Sequence, residues 1–155
     1  MLAPTYIALG SNQSNRLLEL RNAVRFLKSL NNQTLPICSA IYESDAVGPS
    51  DNAYLNAVCC LYDCKLPPFK LLSTLKEYEE SRGRNLKAER WTERPIDLDI
   101  LYINEMVVQS EVLSIPHPRI IERSFVLVPL LSLRHNSYGG VKRKRLLSAL
   151  SQLPH

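Results

Sequence analysis

The sequence predicts an α+β sandwich, with helices packed on a largely antiparallel β-sheet. Short apolar runs of strand length alternate with stretches of helical spacing, in the order strand–helix–strand, twice over. Turn residues punctuate those runs, and no repeat, low-complexity tract or Gly/Ser linker interrupts them. The 155 residues are therefore read as a single domain, 1–155, long enough to bury a sizeable core.

Each element follows from its local pattern. Tyr6-Ile7-Ala8-Leu9 reads as a buried strand stopped by a turn at Gly10-Ser11-Asn12. Between Asn15 and Leu30, apolar Leu17, Leu18, Val24 and Leu27 recur at near-helical spacing. Leu35 to Tyr42 is extended, Gly48-Pro49-Ser50-Asp51-Asn52 is a loop, and Tyr54 to Tyr62 is rich in strand formers. Pro67-Pro68 opens a second helix, where proline is tolerated in the first turn; Leu71, Leu72, Leu75 and Tyr78 form its apolar face, and it ends near Gly83. Ile96 to Ile103 is a strand, and Asn104-Glu105 turns it into Met106-Val107-Val108. Phe125 to Leu131 fits a strand or a helix equally well, and Leu146 to Leu153 closes the chain as a short helix. The order of elements is that of a ferredoxin-like sandwich.

Composition excludes several classes. Hydrophobic residues make up 45% and charged residues 22%, ordinary for a globular protein. No apolar run is long enough to cross a bilayer, and no basic, then apolar, leader opens the chain, so no membrane partner and a cytoplasmic location are expected. Cys38, Cys59, Cys60 and Cys64 complete no zinc pattern and are read as reduced, partly buried thiols; adjacent Cys59 and Cys60 should point to opposite faces of a strand. The net charge of +4 suits an anionic ligand without demanding nucleic acid. The run Lys142-Arg143-Lys144-Arg145 is read as a solvated helix start.

The chemistry-bearing residues lie in the second half. None of the five glycines sits in a phosphate-cradling GxxxxGK or GxGxxG motif, so a triphosphate would have to be held by cations. Asp97-Leu98-Asp99 lies in a predicted strand, where a period of two puts both carboxylates on one face and Leu98 in the core. Such a pair suits magnesium, which favours one or two carboxylates plus phosphate oxygens. Arg82, Arg84, Lys87, Arg90 and Arg94 fall just upstream, in a connection long enough to serve as a lid. Arginine's planar fork matches phosphate oxygens. His117 lies between two stiff prolines and is open to a structural or a phosphate-binding role, with Arg123 nearby. Tyr54, Asn56, Trp91 and Phe125 could stack on, and hydrogen-bond, a flat heterocycle.

Taken together, these segments resemble the 6-hydroxymethyl-7,8-dihydropterin pyrophosphokinase family of folate biosynthesis. The resemblance rests on Tyr6-Ile7-Ala8-Leu9-Gly10-Ser11-Asn12, Gly48-Pro49 with Tyr54-Leu55-Asn56-Ala57, and Arg90-Trp91 with Arg94 and Asp97-Leu98-Asp99. It continues through Pro116-His117-Pro118, Glu122-Arg123, Phe125 and Val126-Leu127-Val128-Pro129-Leu130. It implies pyrophosphoryl transfer from ATP, as co-substrate, to the hydroxymethyl-dihydropterin, with AMP leaving, and no nucleic-acid partner. Asp97 and Asp99 would bind two Mg2+ ions. Arg84 and Arg94 would meet the phosphates from a mobile catalytic loop, and His117 and Arg123 would contact ATP. Tyr54 and Phe125 would sandwich the pterin, Asn56 would bind its edge, Trp91 would close over it, and Ser44 and Val47 would line the same pocket. Glu79 would support the arginine loop. The chain departs from the family pattern at Thr92, where glycine is usual, at Pro95, where threonine is usual, and at Ser44-Asp45-Ala46, where Thr-Pro-Pro is usual. Two other readings remain open at this level: a ferredoxin-like RNA-binding module, and a pterin- or nucleotide-binding protein without catalysis.

Overall fold

A computed structural model describes residues 3–45, 52–83 and 95–154. The central strand β1 (Thr5–Ser11) leads into helix α1 (Arg16–Leu30), capped by Asn15, whose side chain accepts from the Leu18 amide at 3.1 Å. Two short edge strands follow, β2 (Ile37–Cys38) and β3 (Tyr42–Ser44), and then the long strand β4 (Tyr54–Leu61). Helix α2 (Pro68–Ser81) precedes β5 (Asp97–Ile103). Beyond it come the pair β6 (Val108–Gln109) and β7 (Ser114–Ile115), helix α3 (Ser124–Ser132), the hairpin β8 (Ser137–Tyr138) and β9 (Val141–Lys142), and helix α4 (Arg143–Ser151).

The main sheet runs β2-β4-β1-β5, with β3 also on β4, and every pairing is antiparallel. With β2 and β3 counted as one edge, the β-α-β-β-α-β order is the ferredoxin-like plan. Leu35 to Tyr42 is thus not one strand. Ser39 interrupts it, its amide donating to the Val58 carbonyl at 2.8 Å while its hydroxyl accepts from the Val58 amide at 2.9 Å.

Each face of the sheet buries its own core. On one, Ile7, Leu9, Cys59, Leu61, Leu98 and Ile100 pack with Leu20, Ala23 and Leu27 of α1 and Leu71 and Leu75 of α2. On the other, Tyr6, Val58, Cys60, Leu101 and Tyr102 pack with Val126, Leu127, Leu130 and Leu131 of α3 and Leu146 of α4. A register shift between Tyr6 and Ile7 leaves Leu101 unopposed, which is how consecutive Leu101 and Tyr102 reach the same face. RNA-binding sheets of this plan leave one face open for bases. Here that face lies under α3 and α4, which argues against the RNA-module reading.

Several expectations need correction. Leu17 and Leu18 of α1 are 43% and 47% exposed. At about 100° per residue the buried stripe centres on Leu20, Ala23 and Leu27, so Leu17 falls at its margin and Leu18 on the far side. Gly10 and Ser11 belong to β1 rather than to a turn. Phe125 to Leu131, where strand and helix fit the sequence equally well, is helical, which decides between the two rather than correcting either: α3 is apolar all round because the sheet and α4 enclose it. The run Lys142–Arg145 is not wholly solvated, since Arg143 Nη1 donates to the Leu131 carbonyl at 2.6 Å and to the Tyr138 hydroxyl at 3.2 Å.

The cysteines also differ from expectation. Cys38 and Cys59 are directly opposed in β2 and β4, with Cα atoms 4.1 Å apart, and form a disulfide. Cys60, on the opposite face from Cys59 as strand alternation requires, is free and buried, and burial pushes its thiol up to about 11. Cys64 is free and half-buried. Iodoacetamide at pH 8, without reductant or denaturant, is therefore expected to label Cys64 before Cys60, as read by peptide mass mapping. Labelling of Cys38 and Cys59 should require reduction first.

The β8–β9 hairpin turns on Gly139 and Gly140, with φ of 57° and 84°. A Cβ on Gly139 would lie 2.2 Å from Tyr102 Cδ1. Gly139→Ala combines backbone strain with overpacking and should cost about 2–4 kcal/mol in urea unfolding. A loss within experimental error would show that the hairpin tolerates a side chain there.

Candidate active site

The site is built on three neighbouring strands. Gly10 of β1 is paired with Asn56 of β4 on one side and with Asp97 of β5 on the other; one row along, Ala8 is paired with Val58 and Asp99. Paired residues project to the same face. The middle strand therefore contributes almost no side chain, and a hollow forms between Asn56 and the two aspartates. A Cβ on Gly10 would come within 3.6 Å of Asn56 Oδ1 and 3.7 Å of Tyr54 Cδ1, so a larger residue would fill the hollow. The start of α3 closes the other side with Phe125 and Val126, and Arg123 immediately precedes that helix. The resulting pocket has a volume of about 190 Å³ and is lined by Ser44, Tyr54, Asn56, Asp97, Asp99, Arg123 and Phe125, among others.

Side-chain contacts orient this lining. Asn56 Nδ2 donates to Ser44 Oγ at 2.8 Å and to the Tyr42 carbonyl at 3.4 Å. With its donor engaged, Asn56 presents Oδ1 to the hollow as an acceptor. The Arg123 guanidinium carbon lies 5.6 Å from the centre of the Phe125 ring, a cation–π distance. Leu98 is buried among α1 and α2 side chains, so the residues flanking it face the hollow, as the alternation predicts.

His117 stands outside the hollow, in an adjoining groove formed with Pro116, Pro118, Ile120 and α4. Its amide donates to the Leu101 carbonyl at 3.0 Å, and its Nδ1 accepts from the Arg119 amide at 3.1 Å. Burial holds its imidazole below the ordinary histidine range; Asp99 opposes that shift, and Arg123, Arg119 and Lys76 reinforce it. The ring is neutral at pH 7, with Nε2 still available.

Of the residues singled out in the sequence, Ser44, Tyr54, Asn56, Asp97, Asp99, Arg123 and Phe125 are brought to one pocket, and His117 to its neighbour. Val47, Arg84, Trp91 and Arg94 lie outside the described residues. Glu79 is fully buried in α2, accepting from the Leu98 amide and pairing with Lys76. Ala8 and Gly10 were missed as floor residues; their signal was the small–large–small alternation Ala8-Leu9-Gly10.

Asp97 and Asp99 offer only oxygen, and among the described residues no third His, Cys, Asp or Glu joins them. That donor set suits a hard cation completed by phosphate oxygens and water, not zinc, whose structural sites are closed by nitrogen and sulfur.

Residues 6–135 match the family described as 7,8-dihydro-6-hydroxymethylpterin-pyrophosphokinase. This chain belongs to that family. Pyrophosphokinase membership makes it an ATP-using transferase that acts on hydroxymethyldihydropterin in folate biosynthesis. It is 40% identical over 129 residues to the 2-amino-4-hydroxy-6-hydroxymethyldihydropteridine pyrophosphokinase of Haemophilus influenzae, covering 83% of this chain and 79% of that one. The Bacillus subtilis pyrophosphokinase of the same name is 42% identical over 125 residues, covering 81% and 74%. A folate synthesis bifunctional protein of Arabidopsis thaliana is 41% identical over 128 residues, but the match spans only 26% of its length. Among solved structures, Plasmodium falciparum HPPK-DHPS with pteroate superposes with a TM-score of 0.69 at 14% identity, over 96% of this chain and 44% of that one. That likeness shows the pyrophosphokinase fold alone.

Proposed function

We propose that the hollow over Gly10 is where this pyrophosphokinase joins its two substrates. The pterin hydroxymethyl oxygen attacks the β-phosphorus of ATP. The bond from that phosphorus to the α–β bridging oxygen breaks, AMP leaves with the bridging oxygen, and the hydroxyl proton is released. The reading is carried by one convergence: an acceptor on Asn56, two aromatic rings and two carboxylates around a single hollow.

Tyr54 and Phe125 hold the pterin between them, and Ser44 and Val47 complete its pocket. Asn56 Oδ1 accepts from the pterin's N–H edge, its orientation set by Ser44. Trp91 covers the ring. Asp97 and Asp99 would hold two magnesium ions, which would supply Lewis-acid neutralisation of the charge on the transferring group. Arg84, Arg94 and Arg123 bind phosphate oxygens in bidentate fashion, and neutral His117 offers Nε2 to the nucleotide. Positioning and charge neutralisation supply the catalysis, with little covalent chemistry asked of the protein. A cytoplasmic location is part of this proposal; among the described residues no helix is long and apolar enough to cross a membrane.

The test uses ATP labelled at the α-phosphate and, separately, at the γ-phosphate, with magnesium and the hydroxymethyl-dihydropterin. The α label should appear in AMP and the γ label in the pterin product. Formation of ADP would contradict pyrophosphoryl transfer, and ligand binding without label transfer would leave a non-catalytic pterin-binding protein.

A further inference from the structure

The main sheet ends at β5, so backbone groups of that strand that face away from β1 need partners elsewhere. Asp97 and Asp99 are paired with Gly10 and Ala8. Leu98, between them, turns its amide and its carbonyl outward to α2. Glu79 Oε2 accepts from the Leu98 amide at 2.7 Å, and Lys76 Nζ donates to the Leu98 carbonyl at 3.3 Å. Lys76 and Glu79, one turn apart on α2, also pair with each other at 3.2 Å. The Glu79 side chain is wholly buried, whereas that of Lys76 is 34% exposed.

The Leu98 amide belongs to the peptide plane joining Asp97 to Leu98, and its carbonyl to the plane joining Leu98 to Asp99. Those two planes set how far apart the two aspartate side chains stand and where they aim. We propose that Lys76 and Glu79 are positioning residues that grip both planes from the face opposite the pocket and so fix the geometry of the carboxylate pair. This role presupposes that Asp97 and Asp99 hold divalent cations. A ligand pair of this kind must be held to within about 0.5 Å, and an unbraced edge strand does not provide that. The carboxylate also brings a third negative charge close to the pair, and Lys76 balances it where it enters.

Lys76→Met and Glu79→Gln are compared with wild type, Lys76→Arg and Asp99→Asn. In metal-free protein, the Leu98 amide should exchange about tenfold faster in Glu79→Gln, because a neutral amide accepts more weakly than a carboxylate, while the Leu9 amide stays unchanged. Mn2+ affinity in the presence of a non-hydrolysable ATP analogue, read by electron paramagnetic resonance, should fall about tenfold in Lys76→Met and Glu79→Gln. Lys76→Arg should restore it, and KM for the pterin should be unchanged in Lys76→Met and Glu79→Gln. Lys76 is partly exposed, so if Glu79→Gln fails to fold, Lys76→Met decides alone. Unchanged Mn2+ affinity would overturn the positioning role, and tighter binding in Lys76→Met would replace it with a bare opposing charge. Equal Mn2+ binding by Asp99→Asn and wild type would instead overturn the metal site, and the positioning role with it.

Discussion

Asp97→Asn or Asp99→Asn is expected to lower turnover by at least about 10²–10³-fold, the scale on which removing one preorganised electrostatic group is felt. The fold should survive. Both side chains face the hollow rather than a core, and Leu98 between them carries the packing. Thermal unfolding should therefore show a midpoint close to that of wild type, while steady-state AMP release shows the loss. Asparagine keeps the size and one oxygen of the side chain but not its charge, so the two measurements separate chemistry from folding. Wild-type turnover in either variant at ordinary magnesium concentrations would remove these residues from the mechanism.

Phe125→Ala and Tyr54→Ala should each weaken pterin binding by about 1–3 kcal/mol, the range for a base stacked on an aromatic side chain. ATP affinity should change far less. Phe125 carries the additional contact with Arg123, so its removal should also loosen that guanidinium. Asn56→Ala should lose a directional acceptor and, in addition, leave Ser44 without its partner. Calorimetry with each ligand separately distinguishes the effects. Unchanged pterin affinity in all three variants would place the pterin elsewhere.

What the sequence showed, and what it did not, follows from the range of the interactions involved. The shared face of Asp97 and Asp99 was legible because a strand's period of two is local, needing only the assignment of β5. The opposite faces of Cys59 and Cys60 were legible for the same reason. The disulfide was not, because it depends on how β2 registers against β4 across a separation of 21 residues. α3 stayed undecided because a segment apolar on every side has no period to read. Leu18 was misplaced because several overlapping stripes fit α1, and only the packed sheet selects one. Glu79 was noticed through family resemblance, but its contact with Leu98 required the docking of α2 on the sheet edge. Tyr54 and Asn56 share one face of β4 by the same period of two, but Phe125 lies on α3, far along the chain, and spacing alone could not have brought it to them.

The central claim is that Asp97 and Asp99 face a pterin held between Tyr54 and Phe125, with the triphosphate between them. A crystal structure with magnesium, a non-hydrolysable ATP analogue and the hydroxymethyl-dihydropterin tests it most directly. The expected result is divalent metal on the Asp97 and Asp99 carboxylates, the pterin ring between Tyr54 and Phe125, and its hydroxymethyl oxygen facing the β-phosphorus. A pterin bound away from the Gly10 hollow, or metal held by other side chains, would contradict it.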